Sequence, residues 1–157
     1  MGRKITVIKK HKLFPDSIYQ EKIVSKIINS IMKGGQKTVA ENIFYESMRQ
    51  VRLSVNEKPL KVLFIALENG KPLVELKSIR IGGVTHQIPI ETSTRRQESL
   101  VIRWLIQHAR SRVERKMEER IAKEILDLYS KKGLTFQKKE ELHRRAENNR
   151  AFAHYRW

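Results

Sequence analysis

The order of hydrophobic and polar residues along the chain reads mostly as helix. After Pro15, Ile23, Ile27 and Ile31 recur four residues apart, with Ser17 and Gln20 in the positions of a capping box. Gly34 and Gly35 end this first helix, since glycine takes up a left-handed cap without strain. A second helix carries Ala40, Ile43, Phe44, Ser47 and Val51 on one face. Pro59, suited to a first helical position, starts a short third helix that Gly70 and Pro72 close.

The period changes in the stretch LVELKSIRIGGVTHQIPIET. After Gly82 and Gly83, Val84, His86, Ile88 and Ile90 alternate with polar partners, as in a strand. Before the glycines Ile79 and Ile81 keep the alternation, but Val74 and Leu76 stand in the opposite phase. A two-residue turn at Gly82-Gly83 pairs Ile81 with Val84 and Ile79 with His86. One extra residue near Lys77–Ser78, a β-bulge, then restores the pairs Leu76–Ile88 and Val74–Ile90. Pro89 is compatible with such a ribbon because both its edges are open. Two strands alone are marginally stable in water, so the ribbon's base must pack on helices.

Helical periodicity resumes after Ser93 and Thr94, both capping candidates. Leu100, Val101, Trp104, Leu105 and His108 fall on one side, and Arg95, Arg96, Arg103, Arg110 and Arg112 occupy much of the rest. Trp104 shares the spacing of its apolar neighbours and is assigned to the core. Met117, Ile121, Ile125 and Leu128 mark a fifth helix, which Gly133 ends. A sixth, about Phe136 to Arg150, is almost wholly polar, so only part of it should touch the core. The expected fold is mainly α: a six-helix, bundle-like single domain over residues 14–157, with one β-hairpin at about 73–91 projecting between helices three and four. A basic N-terminal arm, residues 1–13, precedes it.

Charge then narrows the class. The 157 residues include 33 Lys+Arg against 17 Asp+Glu, a formal net charge of +16. Such an excess repels itself and fits best beside a polyanion. With 39% hydrophobic residues a core can still form, which argues against wholesale disorder. There is no cysteine, so disulfides and thiolate metal sites are excluded and a reducing compartment fits. The longest apolar run, Leu63 to Leu67, is far too short for a membrane span. The first residues lack the apolar stretch and cleavage site of a secretory signal. These features describe a soluble, intracellular protein.

Candidate catalytic chemistry is sparse. His11, His86, His108, His143 and His154 fall on different elements, with no pair at helical ligand spacing. Structural or RNA-contact roles suit them better than metal binding. The NGKP sequence at Asn69 lacks the glycine of a phosphate loop, which would stand at Ile65. Glu118, Glu119, Glu140 and Glu141 are flanked by Lys and Arg in the manner of solvated ion pairs. The expectation is a non-enzymatic protein without cofactor or metal.

Four basic groups remain: the arm (Arg3, Lys4, Lys9, Lys10, Lys12), the hairpin (Lys71, Lys77, Arg80), the region from Arg95 to Lys116 with its sequel, and the closing HRRAENNRAFAHYRW. Any one suits an ordinary solvated face; together they suit a nucleic acid. Phe152, Tyr155 and Trp157 beside arginines offer flat faces for unstacked bases, and equally a C-terminal anchor folded back on the body.

Four motifs, MKGGQK, ALENGKPLVELKSIRIGGVTHQIPIE, RRQESLVIRWLIQHARSR and HRRAENNRAFAHYRW, closely resemble, in this order, the bacterial and organellar type of the small-subunit ribosomal protein seven family. PDSIY at Pro15 fits the start of that family's first helix, and the resemblance spans roughly Leu13 to Trp157. Gly70 stands where the family usually has a branched residue, which predicts an earlier end to the third helix. Val113-Glu114 replaces a common Pro-Gly, and Arg145 and Asn149 replace a usual Met and Ala.

The resemblance implies a structural constituent of the small ribosomal subunit. Such a protein binds the three-prime major domain of the subunit's rRNA and helps nucleate head assembly. It neighbours head and platform proteins and points its ribbon toward the exit-site tRNA and the mRNA path. Neither a membrane nor a homo-oligomer is implied. The location is the ribosome of the cytoplasm, or of a matrix or stroma if organelle-encoded. Carried onto this chain, Lys9, Lys10, Lys12, Lys33, Lys37, Arg95, Arg96, Arg110, Arg112, Arg115 and Lys116 are the phosphate clamps. Arg144, Arg150, His154, Tyr155, Arg156 and Trp157 make a C-terminal rRNA contact, and Arg80, Gly82 and Gly83 form the tRNA-proximal tip. The alternative is a DNA-binding architectural or regulatory protein, which would need a helix-turn-helix dimer or a groove-wedging ribbon.

Overall fold

The computed structural model describes residues 13–155. Among them, six α-helices flank one ribbon in the order α1 (Lys22–Ile31), α2 (Lys37–Ser54), α3 (Pro59–Gly70), β1 (Val74–Ile81), β2 (Val84–Glu91), α4 (Thr94–Ser111), α5 (Met117–Tyr129) and α6 (Gly133–Asn148). A short 3-10 helix follows at Arg150–Tyr155. The mainly α fold with a hairpin between the third and fourth helices is therefore present as expected.

One apolar core joins α1 to α5. Ile27, Ile28, Phe44, Met48, Leu63, Leu67, Leu105, Ile121, Ile125 and Leu128 are all buried in it. Each such side chain contributes about 1.5–3 kcal/mol by leaving water. On α4 the core positions are Val101, Ile102, Leu105, Ile106 and Ala109, so the apolar stripe is rotated from the expected one. Trp104 is half-buried and lies outside this cluster, which corrects its assignment to the core. The polar α6 buries only Thr135 and Ala146, with Phe136 against the core's edge.

Helix boundaries differ from the sequence pattern for identifiable reasons. Gln20 has φ 54°, which interrupts any helix before Lys22, and Ser17 with Gln20 forms no capping box. The N-cap position, Glu21, makes no side-chain cap, and the turn before α1 is fixed by Asp16, whose carboxylate accepts the N–H groups of Ile18 (3.1 Å) and Tyr19 (3.0 Å) and the Tyr45 hydroxyl (2.8 Å). Burial pushes this carboxyl's pKa up, but the Tyr19 N–H, the Tyr45 hydroxyl and the Ile18 N–H outweigh it and hold the pKa low. At the other end α1 stops at Ile31. Gly34 and Gly35, φ 59° and 78°, form a separate turn closed by Gln36 N–H to Lys33 O (3.2 Å). The fifth helix also ends without glycine: Lys131 takes the left-handed position (φ 56°). Lys131 N–H reaches Leu128 O (3.1 Å) and Lys132 N–H reaches Asp127 O (2.7 Å), the paired bonds of a Schellman cap. Gly133 opens α6 instead of closing α5, and α6 starts three residues before Phe136.

The ribbon carries no bulge. Pairing runs unbroken from Val74–Glu91 through Leu76–Pro89, Lys77–Ile88 and Ile79–His86 to Ile81–Val84. The phase change at Val74 and Leu76 reflects burial of both faces of the base rather than an inserted residue. Ile88 is wholly buried on one face, while Leu76 and Pro89, paired on the other, are half-buried. Helix α6 packs on both strands and the 3-10 helix on β2. The tip at Gly82-Gly83 is exposed.

Helix α3 runs through Gly70 rather than ending earlier. A Cβ placed there would stand 2.5 Å from Val101 Cγ2 and 3.2 Å from Leu128 Cδ2. Glycine is required by close packing of α3 on α4 and α5, and a branched residue would need these helices further apart. Gly70→Ala should cost a net 1–2 kcal/mol or so, overpacking outweighing the better helix propensity. In urea unfolding, Gly70→Ala with Val101→Ala should lose less than the two single changes summed; simple additivity would contradict the clash.

Candidate nucleic-acid interface

One face of α4 presents Arg95, Ser99, Arg103, Gln107 and Arg110, spaced four, four, four and three residues apart. Ile102 and Ile106 turn inward beside them, locking the helix against α1. Between α4 and the Lys26, Asn29 and Ser30 face of α1 lies an open groove of about 770 Å³. Lys26 Nζ is tied to Glu98 Oε2 at 2.6 Å. Arg110 Nη2 donates to the carbonyls of Ser30 (3.2 Å) and Ile31 (3.3 Å), oxygens left open at the end of α1, where the helix dipole favours a cation. Arg110 also borders a smaller groove of about 390 Å³ with Lys33, Gln36 and Arg120. The two grooves thus form one cationic track from Arg95 to Lys33.

Of the clamps expected from sequence, this track gathers Lys33, Arg95 and Arg110. Lys37 opens α2 nearby and stands 3.5 Å from Glu41. Arg103, Lys26 and Arg120 join the track without having been among the site candidates. Arg103 was visible in principle, being two i,i+4 steps from Arg95; Lys26 and Arg120 come from other helices.

Arg112 and Arg96, both expected as clamps, are tied to carboxylates of other elements. Arg112 faces Glu124 (Nη1–Oε2 2.7 Å), Asp127 (Nη2–Oδ2 2.5 Å) and Glu114, whose Oε2 is 3.6 Å from Nε. Glu124 is fully buried. Its Oε1 also accepts the Thr135 N–H (3.2 Å) and hydroxyl (2.5 Å). His108 Nδ1 is 3.1 Å from Thr135 Oγ1. Because that hydroxyl's proton goes to Glu124, Nδ1 is the donor there. Burial holds the His108 pKa below the ordinary histidine range. Arg96 grips Glu75 of β1 with two bonds (Nε–Oε2 3.0 Å, Nη2–Oε1 2.9 Å), and these bonds keep the Glu75 pKa low. Arg115 and Lys116 are exposed in the α4–α5 turn, which Arg120 braces by donating to Glu114 O (2.5 Å).

The remaining candidates lie apart from the track. Arg144 borders a groove between α4 and α6 with His108, Leu134 and Glu141, and Arg150 is 3.2 Å from Glu147. Arg80 is exposed on the ribbon beside Gly82 and Gly83. At the ribbon's base Leu73 N–H donates to His143 Nε2 (3.1 Å). Of the two roles open to the C-terminal aromatics, Phe152 serves as an anchor, its ring 4.9 Å from that of His86. Lys9, Lys10, Lys12, Arg156, Trp157 and the side chains of His154 and Tyr155 lie outside the described residues. Among the described residues, no cluster of His, Asp and Glu could hold a metal ion, and no helix is long and apolar enough to cross a membrane.

A family model for ribosomal protein S7p/S5e matches residues 3–150. The small ribosomal subunit protein uS7 of Pelagibacter ubique is 45% identical over 157 residues, 100% of each chain. That of Thermodesulfovibrio yellowstonii is 47% identical over 150 residues, 96% of each. That of Aster yellows witches'-broom phytoplasma is 46% identical over 150 residues, again 96% of each.

Removing Arg112 would strand the Glu124 charge in the interior. Arg112→Ala should destabilise the protein by about 3–5 kcal/mol in urea unfolding. Adding Glu124→Gln should recover part of that loss, since the amide keeps the shape without the charge. No recovery would mean that Arg112 stabilises mainly by packing.

Proposed function

The chain belongs to the ribosomal protein S7p/S5e family, and from that premise we propose that it is a structural, RNA-binding constituent of the small ribosomal subunit, acting in translation without a catalytic role. The observation that carries this reading is the track of Arg95, Arg103, Arg110 and Lys33 on the grooves of α1 and α4. Guanidinium groups repeated along one rigid helix suit a series of phosphates, which fix position, while the shape of a folded RNA provides specificity.

In finer detail, the RNA partner is the three-prime major domain of the small-subunit rRNA, and binding there helps nucleate head assembly. Lys33, Lys37, Arg95, Arg103, Arg110, Arg115 and Lys116 contact phosphates. Lys9, Lys10 and Lys12 extend that contact on the arm, and Arg144, Arg150, His154, Tyr155, Arg156 and Trp157 extend it at the C-terminus. Arg96 and Arg112 contribute by holding the ribbon base and the α4–α5 turn. Arg80, Gly82 and Gly83 lie near the exit-site tRNA and the mRNA path, a role supported by the ribbon's packed base and exposed tip. Neighbouring head and platform proteins complete the surroundings, in the cytoplasmic ribosome.

Binding to a transcript of the three-prime major domain should weaken steeply with salt, each neutralised phosphate adding about −0.7 to −0.9 to the slope of log K against log salt. Arg95→Ala with Arg103→Ala should make that slope shallower by about 1.4–1.8, with helical circular dichroism unchanged. A flat salt dependence, or equal competition by duplex DNA, would overturn the reading.

Replacing Ile79–Thr85 with a short Gly-Ser turn should leave Ile88 and Pro89 packed and the protein able to enter subunits. Exit-site tRNA occupancy should fall in ribosomes carrying it. Failure of the variant to be incorporated would make the tip an rRNA anchor instead.

A further inference from the structure

The most exposed aromatic side chain among the described residues precedes α1. Phe14 is 78% exposed, on backbone that is firmly held. Its carbonyl accepts the Ser25 hydroxyl of α1 at 2.8 Å. Two residues on, buried Asp16 pins the following turn through Ile18, Tyr19 and Tyr45. Tyr19 in turn packs against Phe44 and Tyr45, ring centroids 6.2 Å apart in both cases. The segment is therefore fastened to α1 and α2 while one large ring is left in water. Covering such a ring recovers hydrophobic free energy that its exposure forgoes.

The surroundings indicate the kind of partner. Phe14 borders a small groove of about 300 Å³ with Lys37 and Asn29. Asn29 borders the α1–α4 groove as well. The ring's groove thus adjoins the α1–α4 groove at Asn29, which lines both. Beside the ring itself Lys37 is paired with Glu41 at 3.5 Å. The unanswered positive charge is therefore that of the neighbouring α1–α4 groove, and an apolar protein surface reaching from Phe14 into that groove would have to answer it. A nucleic-acid strand does both at once: its phosphates follow the arginines and its bases have flat apolar faces. Asn29, with a donor and an acceptor, is placed to meet a base edge.

We propose that Phe14 is a stacking platform for an unpaired base of the RNA whose backbone occupies the α1–α4 track. This rests on the RNA-binding reading above and adds to it a residue that carries no charge. The ring is held ready by Asp16 and Ser25, so little ordering is required on binding.

The test uses the full chain and the three-prime major domain transcript. Phe14→Ala should weaken binding about 5- to 100-fold, the loss of one base–aromatic stack. The salt slope should stay at its wild-type value, because no phosphate contact is removed. Phe14→Leu should lose nearly as much as Phe14→Ala. Phe14→Trp should bind at least as tightly as wild type, its fluorescence quenched by the stacked base. Full affinity in Phe14→Leu or Phe14→Ala, or an unquenched Trp, would overturn the stacking role while leaving the electrostatic reading intact. Absence of salt-dependent binding by the wild-type chain would overturn both. Since the ring is exposed, all three variants should keep the wild-type urea midpoint. A lowered midpoint would identify Phe14 as a folding residue and refute the platform.

Discussion

Glu124 carries a carboxylate on the inward face of α5, wholly shut off from solvent, and much of the architecture follows from how that charge is met. Arg112 comes from just beyond the end of α4, and Thr135 from the first turn of α6. An uncompensated carboxylate in the interior would cost several kcal/mol, so these partners are bound to their places. The pair is not a large net source of stability, because both ions give up hydration. Its effect is positional. It sets where α4 stops, how the α4–α5 turn leaves, and where α6 begins.

The same economy governs the surface. Several acids fasten one element to another: Glu98 to α1, Glu75 to α4 and Asp127 of α5 to Arg112, beyond the end of α4. Outward-facing arginines along α4 are left to concentrate positive charge over the groove with α1. A net charge of +16 opposes compaction, and an apolar core continuous from α1 to α5 holds the folded state against it. The ribbon follows a comparable division. Its base is buried on both faces, and its tip reaches into solvent without contributing to the core.

Much of this was legible in the order of residues. Periodicity at Ile27 and Ile31, at Ala40 to Val51 and at Ile121 to Leu128 located helices because an amphipathic face needs a 3.6-residue repeat to be buried. Gly82-Gly83 located the hairpin turn because both positions have positive φ. Arg95 and Arg110 were recognisable as surface positions of α4 because they lie off its apolar side. Helix ends were less legible. The start of α1 carries no side-chain cap, and the turn before it is fixed by Asp16, which the Tyr45 hydroxyl of α2 also bonds.

What only the tertiary structure decided concerns residues whose partners are distant in sequence. Leu76 and Val74 break the strand's phase, and a bulge was a sound local answer. Helix α6 and the C-terminal 3-10 helix both pack on the ribbon, so neither face needs a strict polar alternation and no bulge is required. Gly70 does end α3, as its position before Pro72 suggested, but the reason a glycine is needed there came from Val101 and Leu128 of two other helices, which fill the space a Cβ would take. Arg112 belonged by composition to the RNA-facing cations, yet its guanidinium is turned toward Glu124 and Asp127. The sequence by itself determined the inventory: six helices, one ribbon and a large positive excess. Which charges face inward was left to the folded chain, because a guanidinium's environment depends on carboxylates that only folding brings near.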